Sequence, residues 1–106
     1  MHGHQQPPPE IASAASQQIP ADEGVVVLTG SATLTSLNHP NSRVLPGRTV
    51  WLFGKNVTGT NITLTHTAAS SATAGQMVFS GGANVTLDRG KIVSLTQMSD
   101  GIWYQS

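Results

Sequence analysis

The chain has 106 residues, which is enough for one small domain and too few for a multidomain enzyme. Only 9% of the residues are Asp, Glu, Lys or Arg, and five acidic residues balance five basic ones, so the sequence lacks the clustered positive charge that binds nucleic acid or a membrane surface. Cysteine is absent, which excludes disulfides, thiolate metal sites and cysteine nucleophiles.

Residues 1–21 differ in composition from the rest of the chain. They contain four of the six prolines and few large aliphatic side chains, so this segment cannot bury a core of its own. A proline triplet favours an extended stretch, and the alanine-rich run 10–18 has the composition of two helical turns formed against a partner. The segment is therefore predicted to be a disordered tail or an extended arm that orders on another subunit or partner. The predicted contact residues of this arm are Pro7, Pro8, Pro9, Ile11 and Ile19.

From residue 22 onward the pattern changes to short β-like segments with turn residues between them, so 22–106 is predicted to form one β-domain. Thr, Val and Gly are abundant there, as is typical of short strands joined by tight turns. We expect an all-β fold, a compact small sandwich or barrel-like domain preceded by the arm. In chain order, the predicted strands are 25–29, 32–37, 49–54, 61–67, 76–79, 84–87, 91–97 and 102–104.

The predicted strand 49–54 is apolar on both faces. Because side chains alternate along a strand, Val50 and Leu52 share one face while Trp51 and Phe53 share the other. A strand with two apolar faces lies in the centre of a two-layer fold or at an interface. Trp51 and Phe53 are therefore predicted to pack in the core or between subunits.

The predicted strand 61–67 alternates strictly, with Ile62, Leu64 and His66 opposite three threonines. His66 falls on the apolar face and is interpreted as an interior or interfacial histidine rather than a metal ligand. The last strand follows an Asp-Gly turn at Asp100, which is a strong hairpin signal. It carries Trp103 and Tyr104, which are predicted to pack in the core or between subunits.

The sequence shows no set of residues for catalysis. Asp88 and Asp100 lie in predicted turns, where aspartate is favoured for its bonds to nearby backbone. A nucleophile elbow, a phosphate-cradling loop and a dinucleotide fingerprint are all missing from the sequence. His2 and His4 form a close pair that we interpret as an incidental leader. The sequence therefore predicts a non-enzymatic protein with no cofactor and no metal.

The core of such a β-domain is thin, since the whole chain has two Trp, two Phe and one Tyr. Small domains without disulfides or metals rely on oligomerisation for stability. We therefore expect a homo-oligomer.

The C-terminal half carries a recurrent pattern. The run GGANVTLDRGKIVSL at 81–95 and the closing SDGIWY at 99–104 place a glycine-led strand before a final Asp-Gly-x-Trp hairpin. This arrangement resembles that of small β-rich proteins of tailed-bacteriophage virions, namely the decoration (cement) proteins of capsids and the trimeric β-domains of tail fibres and spikes. The resemblance covers roughly residues 44–106 and includes no catalytic signature.

The resemblance implies a homotrimer on the capsid surface of a virion, made in the host cytoplasm, with the major capsid protein as its partner and the arm fastening neighbouring coat subunits. A decoration protein is favoured over a tail-fibre domain, because this chain contains about one β-unit and an N-terminal arm. Tail fibres are usually long chains in which such a β-unit is only a fraction. The alternatives are a tail-fibre or tail-spike β-domain and a carbohydrate-binding β-module that stacks a sugar on Trp51 or Trp103.

Overall fold

A computed structural model describes residues 7–106, which form short strands connected by turns. The expectation of an all-β fold is confirmed, since the only helical element among these residues is one 3-10 turn at Pro40–Ser42. The strands are β1 (Glu10–Ala12), β2 (Ser16–Gln18), β3 (Val25–Thr29), β4 (Thr33–Leu34), β5 (Ser36–Asn38), β6 (Thr49–Gly54), β7 (Asn61–Leu64), β8 (Met77–Val78), β9 (Val85–Asp88), β10 (Ile92–Gln97) and β11 (Trp103–Gln105).

The strands form three sheets, in the orders β1-β3-β6-β10-β11-β8, β2-β5 and β4-β7-β9. The first seven strands pair in parallel, β1 with β3, β3 with β6, β2 with β5 and β4 with β7. Parallel strands need a long connection between them, and here that connection is itself β structure. The chain therefore winds into coils that lie one on the next, in the manner of a β-helix.

The direction of the chain reverses after β8. β9 pairs antiparallel with β7, and β10 pairs antiparallel with both β6 and β11. The pairing of β10 with β11 is the hairpin that the Asp-Gly signal predicts. β11 in turn pairs in parallel with β8, which is the edge strand at this end of the large sheet.

The core lies inside the coils, where side chains of successive strands stack in register. Val26 of β3 lies beside Leu52 of β6, which in turn lies beside Val93 of β10. Leu34 and Leu64 are paired in the same way between β4 and β7, and both are fully buried. Each such side chain contributes about 1.5–3 kcal/mol by leaving water. The core is therefore built from aliphatic ladders that run across the coils.

The N-terminal segment takes part in this fold from residue 10 onward. β1 and β2 complete a first coil on β3 and β5, so the expected helical turns over 10–18 do not form. Ile19, which the sequence predicts as an arm contact, is 1% exposed and belongs to the core. The physical reason for this correction is that a segment without its own core gains one by covering the apolar end of the next coil. Of the predicted contact residues, Pro7, Pro8 and Pro9 precede the first strand.

A buried glutamine fills the first coil. Gln17 is 1% exposed, and its Oε1 accepts a hydrogen bond from the Ala14 N–H at 2.8 Å. Its Nε2 donates to the carbonyl oxygens of Ala12 at 3.4 Å and Gln18 at 3.2 Å. Buried backbone polar groups are costly when they lack partners. Gln17 therefore supplies within the coil the hydrogen bonds that sheet pairing does not provide.

Gly54, the last residue of β6, lies against the backbone at the end of β9 and in the turn that follows it. It accepts a hydrogen bond from the Gly90 N–H at 2.8 Å and donates one to the Lys91 carbonyl oxygen at 2.9 Å. A Cβ at this position would overlap the carbonyl oxygen of Asp88, a backbone atom that cannot turn away as a side chain can. The close contact between β6 and the turn after β9 therefore requires glycine.

We predict that Gly54→Ala lowers the free energy of unfolding by about 1–3 kcal/mol, the usual cost of forcing an extra group into a packed site. Urea denaturation followed by circular dichroism measures this change. Gly24→Ala and Gly81→Ala are the controls, because a Cβ at either glycine meets no atom within 4 Å. An equal loss of stability in all three variants would contradict the close-approach explanation.

Candidate functional site: an apolar outer sheet face

The most distinctive surface lies on the outward side of β3, β6 and β10. In the sheet register, Val25 lies beside Trp51, and Val27 lies beside Phe53, which lies beside Ile92. Trp51 is 45% exposed and Ile92 is 48% exposed. We call Val25, Val27, Trp51, Phe53 and Ile92 the outer apolar face. Its side chains form two neighbouring rows across the sheet, Val25–Trp51 and Val27–Phe53–Ile92.

The alternation of β6 generates this face. Val50 and Leu52 point into the coils and are fully buried, so Trp51 and Phe53 point outward. The two-sided strand predicted from the sequence is therefore the observed β6, and its second apolar side is left partly open to solvent. Phe53 is half-buried, whereas Trp51 keeps 45% of its surface exposed.

The outer apolar face exposes a contiguous apolar area that can be sized from its side chains. Aromatic side chains have areas of about 150–250 Å², so the exposed part of Trp51 amounts to roughly 100 Å². The five side chains together expose roughly 300 Å². The largest apolar patch on a typical monomer has about this size and is often functional, so this face is a candidate interaction site.

Polar groups border this face on two sides. Next to Val27, Lys55 Nζ forms an ion pair with Glu10 Oε1 at 2.8 Å, and both side chains are exposed enough to exchange partners. On the other side, the hydroxyls of Thr49 and Thr96 lie 2.7 Å apart. An apolar centre with a polar rim is the anatomy of a protein–protein interface.

A second feature is a buried polar cluster around Trp103. The Trp103 side chain is fully buried, and its indole N–H donates to the Leu37 carbonyl oxygen at 3.1 Å. The His39 ring lies against it, with 5.3 Å between the ring centroids. Gln97 holds the neighbouring turns, accepting from the Leu45 N–H at 2.9 Å and donating from its Nε2 to Gly101. Trp103 thus ties the last strand to β5.

His39 is the titratable group of this cluster. Its Nδ1 lies 3.1 Å from the Arg43 carbonyl oxygen, which only accepts, so Nδ1 carries the proton and Nε2 has a free lone pair. That Nε2 is buried and has no hydrogen-bond partner among residues 7–106. Burial lowers the pKa of His39, and the positive charges of Arg48 and Arg43 lower it further, against the raising effect of the Arg43 carbonyl. The ring is therefore neutral at pH 7.

A cavity of about 150 Å³ lies beside His39. Its polar lining includes Asn38, Ser42 and Arg43, and Gln97 closes its inner side. The Gln97 side-chain amide already forms hydrogen bonds with backbone groups. The Asn38 side-chain nitrogen already donates to the hydroxyls of Ser16 and Ser36. The cavity is small and two of its polar side chains are already hydrogen-bonded, so the outer apolar face is the stronger candidate site.

The remaining predicted packing residues lie apart from the outer apolar face. His66 is half-buried, and its Nδ1 accepts from the Phe79 N–H at 3.0 Å. Tyr104 is half-buried on β11, with its hydroxyl 3.4 Å from Asp100 Oδ2. Trp103 is enclosed and cannot stack on a sugar, which leaves Trp51 as the exposed tryptophan for the carbohydrate alternative.

The predicted arm residues separate into two groups. Pro7 and Pro8 are exposed and Pro9 is half-buried, so this triplet remains available to a partner. Ile11 is half-buried and packs against the core, which Ile19 enters completely. The structure therefore does not bring the five predicted contact residues together as one surface.

Three observations concern other classes of site. Within residues 7–106, no group of three or more His, Asp or Glu side chains is arranged to hold a metal ion, and His2 and His4 lie outside this range. In the same part of the chain, no helix has the length and apolar character that crossing a membrane requires. Asp100 Oδ1 accepts from the Ile102 N–H at 3.0 Å, which is the turn contact expected of an aspartate there.

Comparison with protein-family models, with curated proteins and with solved structures found no match to this chain.

Sequence reasoning located Trp51 and Phe53 but missed two buried polar residues. His39 lies in a segment, 38–42, whose composition indicates a loop, and its burial depends on Trp103 from the end of the chain. Gln17 lies in the predicted arm. Neither residue has a local sequence signal, because each is enclosed by strands that are distant in sequence. The outward position of Ile92, in contrast, follows from local alternation, because Ile92 is next to the inward-facing Val93.

We predict that the free energy of unfolding falls as the pH is lowered below about 6.5. The folded pKa of His39 lies below its ordinary value of 6.5, so the unfolded chain binds the proton first. The loss begins near pH 6.5 and continues until the folded pKa is reached. Urea denaturation at intervals between about pH 8 and pH 5 measures the slope.

His39→Gln removes this titration and should flatten the slope. If His39→Gln shows the same slope as the original chain, the buried neutral histidine is not its cause.

Proposed function

We propose that this chain is a structural protein of a bacteriophage virion, a capsid decoration protein that binds the major capsid protein as a homo-oligomer. The observation that carries the proposal is the outer apolar face, on which Trp51 is the largest exposed side chain. A surface of this kind binds other proteins and offers no acid, base or nucleophile for chemistry on a small molecule. The sequence resemblance to virion β-proteins over residues 44–106 supports the same function.

The fold suits such a role for two physical reasons. The outer apolar face is carried by hydrogen-bonded strands, so little conformational entropy is lost when it is covered. An oligomer also presents several copies of each contact, and linked weak contacts add up to firm attachment on a repeating lattice. With Ile19 in the core, the part of the N-terminal segment that remains for capsid attachment in this proposal is the proline triplet Pro7–Pro9.

A tail-fibre or tail-spike β-domain is the second candidate, because one observation favours it. The strands β1, β3 and β6 stack in parallel, so that each coil adds to the last along one direction. Stacked coils are an efficient way to build an elongated, stiff particle. This candidate differs from the first in having no affinity for the capsid.

We predict that the purified full chain binds to capsids of the virus that encodes it, when those capsids are prepared without it. Co-sedimentation at micromolar protein should saturate at a fixed number of copies per capsid, because a lattice offers a fixed number of equivalent positions. The bound protein should also raise the temperature at which the capsids rupture, since ligands that bind the assembled state stabilise it.

No co-sedimentation at any concentration up to about 100 µM would contradict capsid decoration. If the same protein is then an elongated trimer that resists heat and detergent, the tail-fibre or tail-spike candidate takes its place.

A further inference from the structure

We propose that the partner covering the outer apolar face is a second copy of this chain. The proposal rests on the proposed function, in which the protein acts as a homo-oligomer, and it assigns the surface through which the copies associate. Trp51 is the expected anchor, because tryptophan at the centre of an interface contributes more binding energy than other residue types. The face of one copy then packs against the faces of its symmetry mates.

The charges around the face allow a copy to approach. The five side chains of the outer apolar face carry no charge, and the chain as a whole has five acidic and five basic residues. Two copies therefore meet without the like-charge repulsion that suppresses wrong partners. At the rim, Glu10 and Lys55 neutralise each other through their ion pair, so this edge of the face also adds no net charge that would repel a second copy.

The area also fits an interface between copies. A stable interface buries about 800 Å² on each partner, with an apolar core and a polar rim. The outer apolar face supplies roughly 300 Å² of apolar surface per copy. Thr49, Thr96, Glu10 and Lys55 border it with polar groups, and further surface around them must supply the rest of such a footprint. The face therefore suits the apolar centre of an association surface rather than the whole of it.

The chain offers unusually close controls for testing this surface. Val57 is 45% exposed, as Trp51 is, and Met98 is 48% exposed, as Ile92 is. Neither Val57 nor Met98 lies on the outward side of β3, β6 or β10. Comparing Trp51→Ser with Val57→Ser, and Ile92→Ser with Met98→Ser, therefore separates the position of an apolar group from its mere exposure.

Sedimentation equilibrium of the full chain between about 1 and 100 µM is the experiment. The unmodified protein should be an oligomer, with the trimer as the expected form. Trp51→Ser should raise the dissociation constant at least about 30-fold, the effect of losing a central anchor. Ile92→Ser should weaken association in the same direction, whereas both control variants should assemble like the unmodified chain.

Circular dichroism verifies that each variant is folded, which is expected because all four side chains are exposed. An unmodified chain that is monomeric at 100 µM overturns the proposal, and so does an oligomer that Trp51→Ser leaves intact. A monomer whose Trp51 fluorescence shifts on adding oligosaccharides also overturns it, in favour of a sugar as the occupant of the face.

Co-sedimentation of the same variants with capsids distinguishes the two levels of the proposal. If the unmodified chain binds capsids while Trp51→Ser leaves the oligomer intact, the surface assignment fails and the proposed function stands. If Trp51→Ser dissociates the oligomer but no protein binds capsids, the surface assignment stands and capsid decoration fails.

Discussion

The parallel register of β3 on β6 is the constraint on which the rest of the structure depends. It places Val26 beside Leu52 inside the coils and, in the same alignment, Val25 beside Trp51 on the outside. Because side chains alternate along a strand, a slip by one residue would exchange the two sets and expose the core. The hydrophobic core and the outer apolar face therefore form together, and neither is adjustable without the other.

The two ends of the stacked coils are completed in different ways. At one end, antiparallel β10 and β11 return along the stack, and Trp103 joins β11 to the β5 backbone through its indole. At the other, the first coil is filled by Gln17 and Ile19, while β1 forms the edge of the large sheet. Pro7–Pro9 precede that edge, and proline has no N–H to extend a ladder.

Local sequence patterns predicted the strands but not their order. The bounds of β3 and β6 follow from alternation and turn residues, and so does the placement of Trp51 on the face opposite Val50 and Leu52. Parallel stacking was not predictable in this way, because turn chemistry describes neighbours in the chain and these pairings join distant segments. The burial of Ile19 and His39 was missed for the same reason, since strands from elsewhere in the chain enclose them.

Quenching of tryptophan fluorescence by acrylamide tests most directly whether a second copy covers the outer apolar face. Trp103 is enclosed by its own chain, so only Trp51 can change its accessibility with concentration. If copies associate through this face, Trp51 is shielded at high protein concentration and becomes quenchable as the sample is diluted. A Trp51 signal that is equally quenchable at every concentration at which the protein is oligomeric would show that the face stays open and that assembly uses another surface.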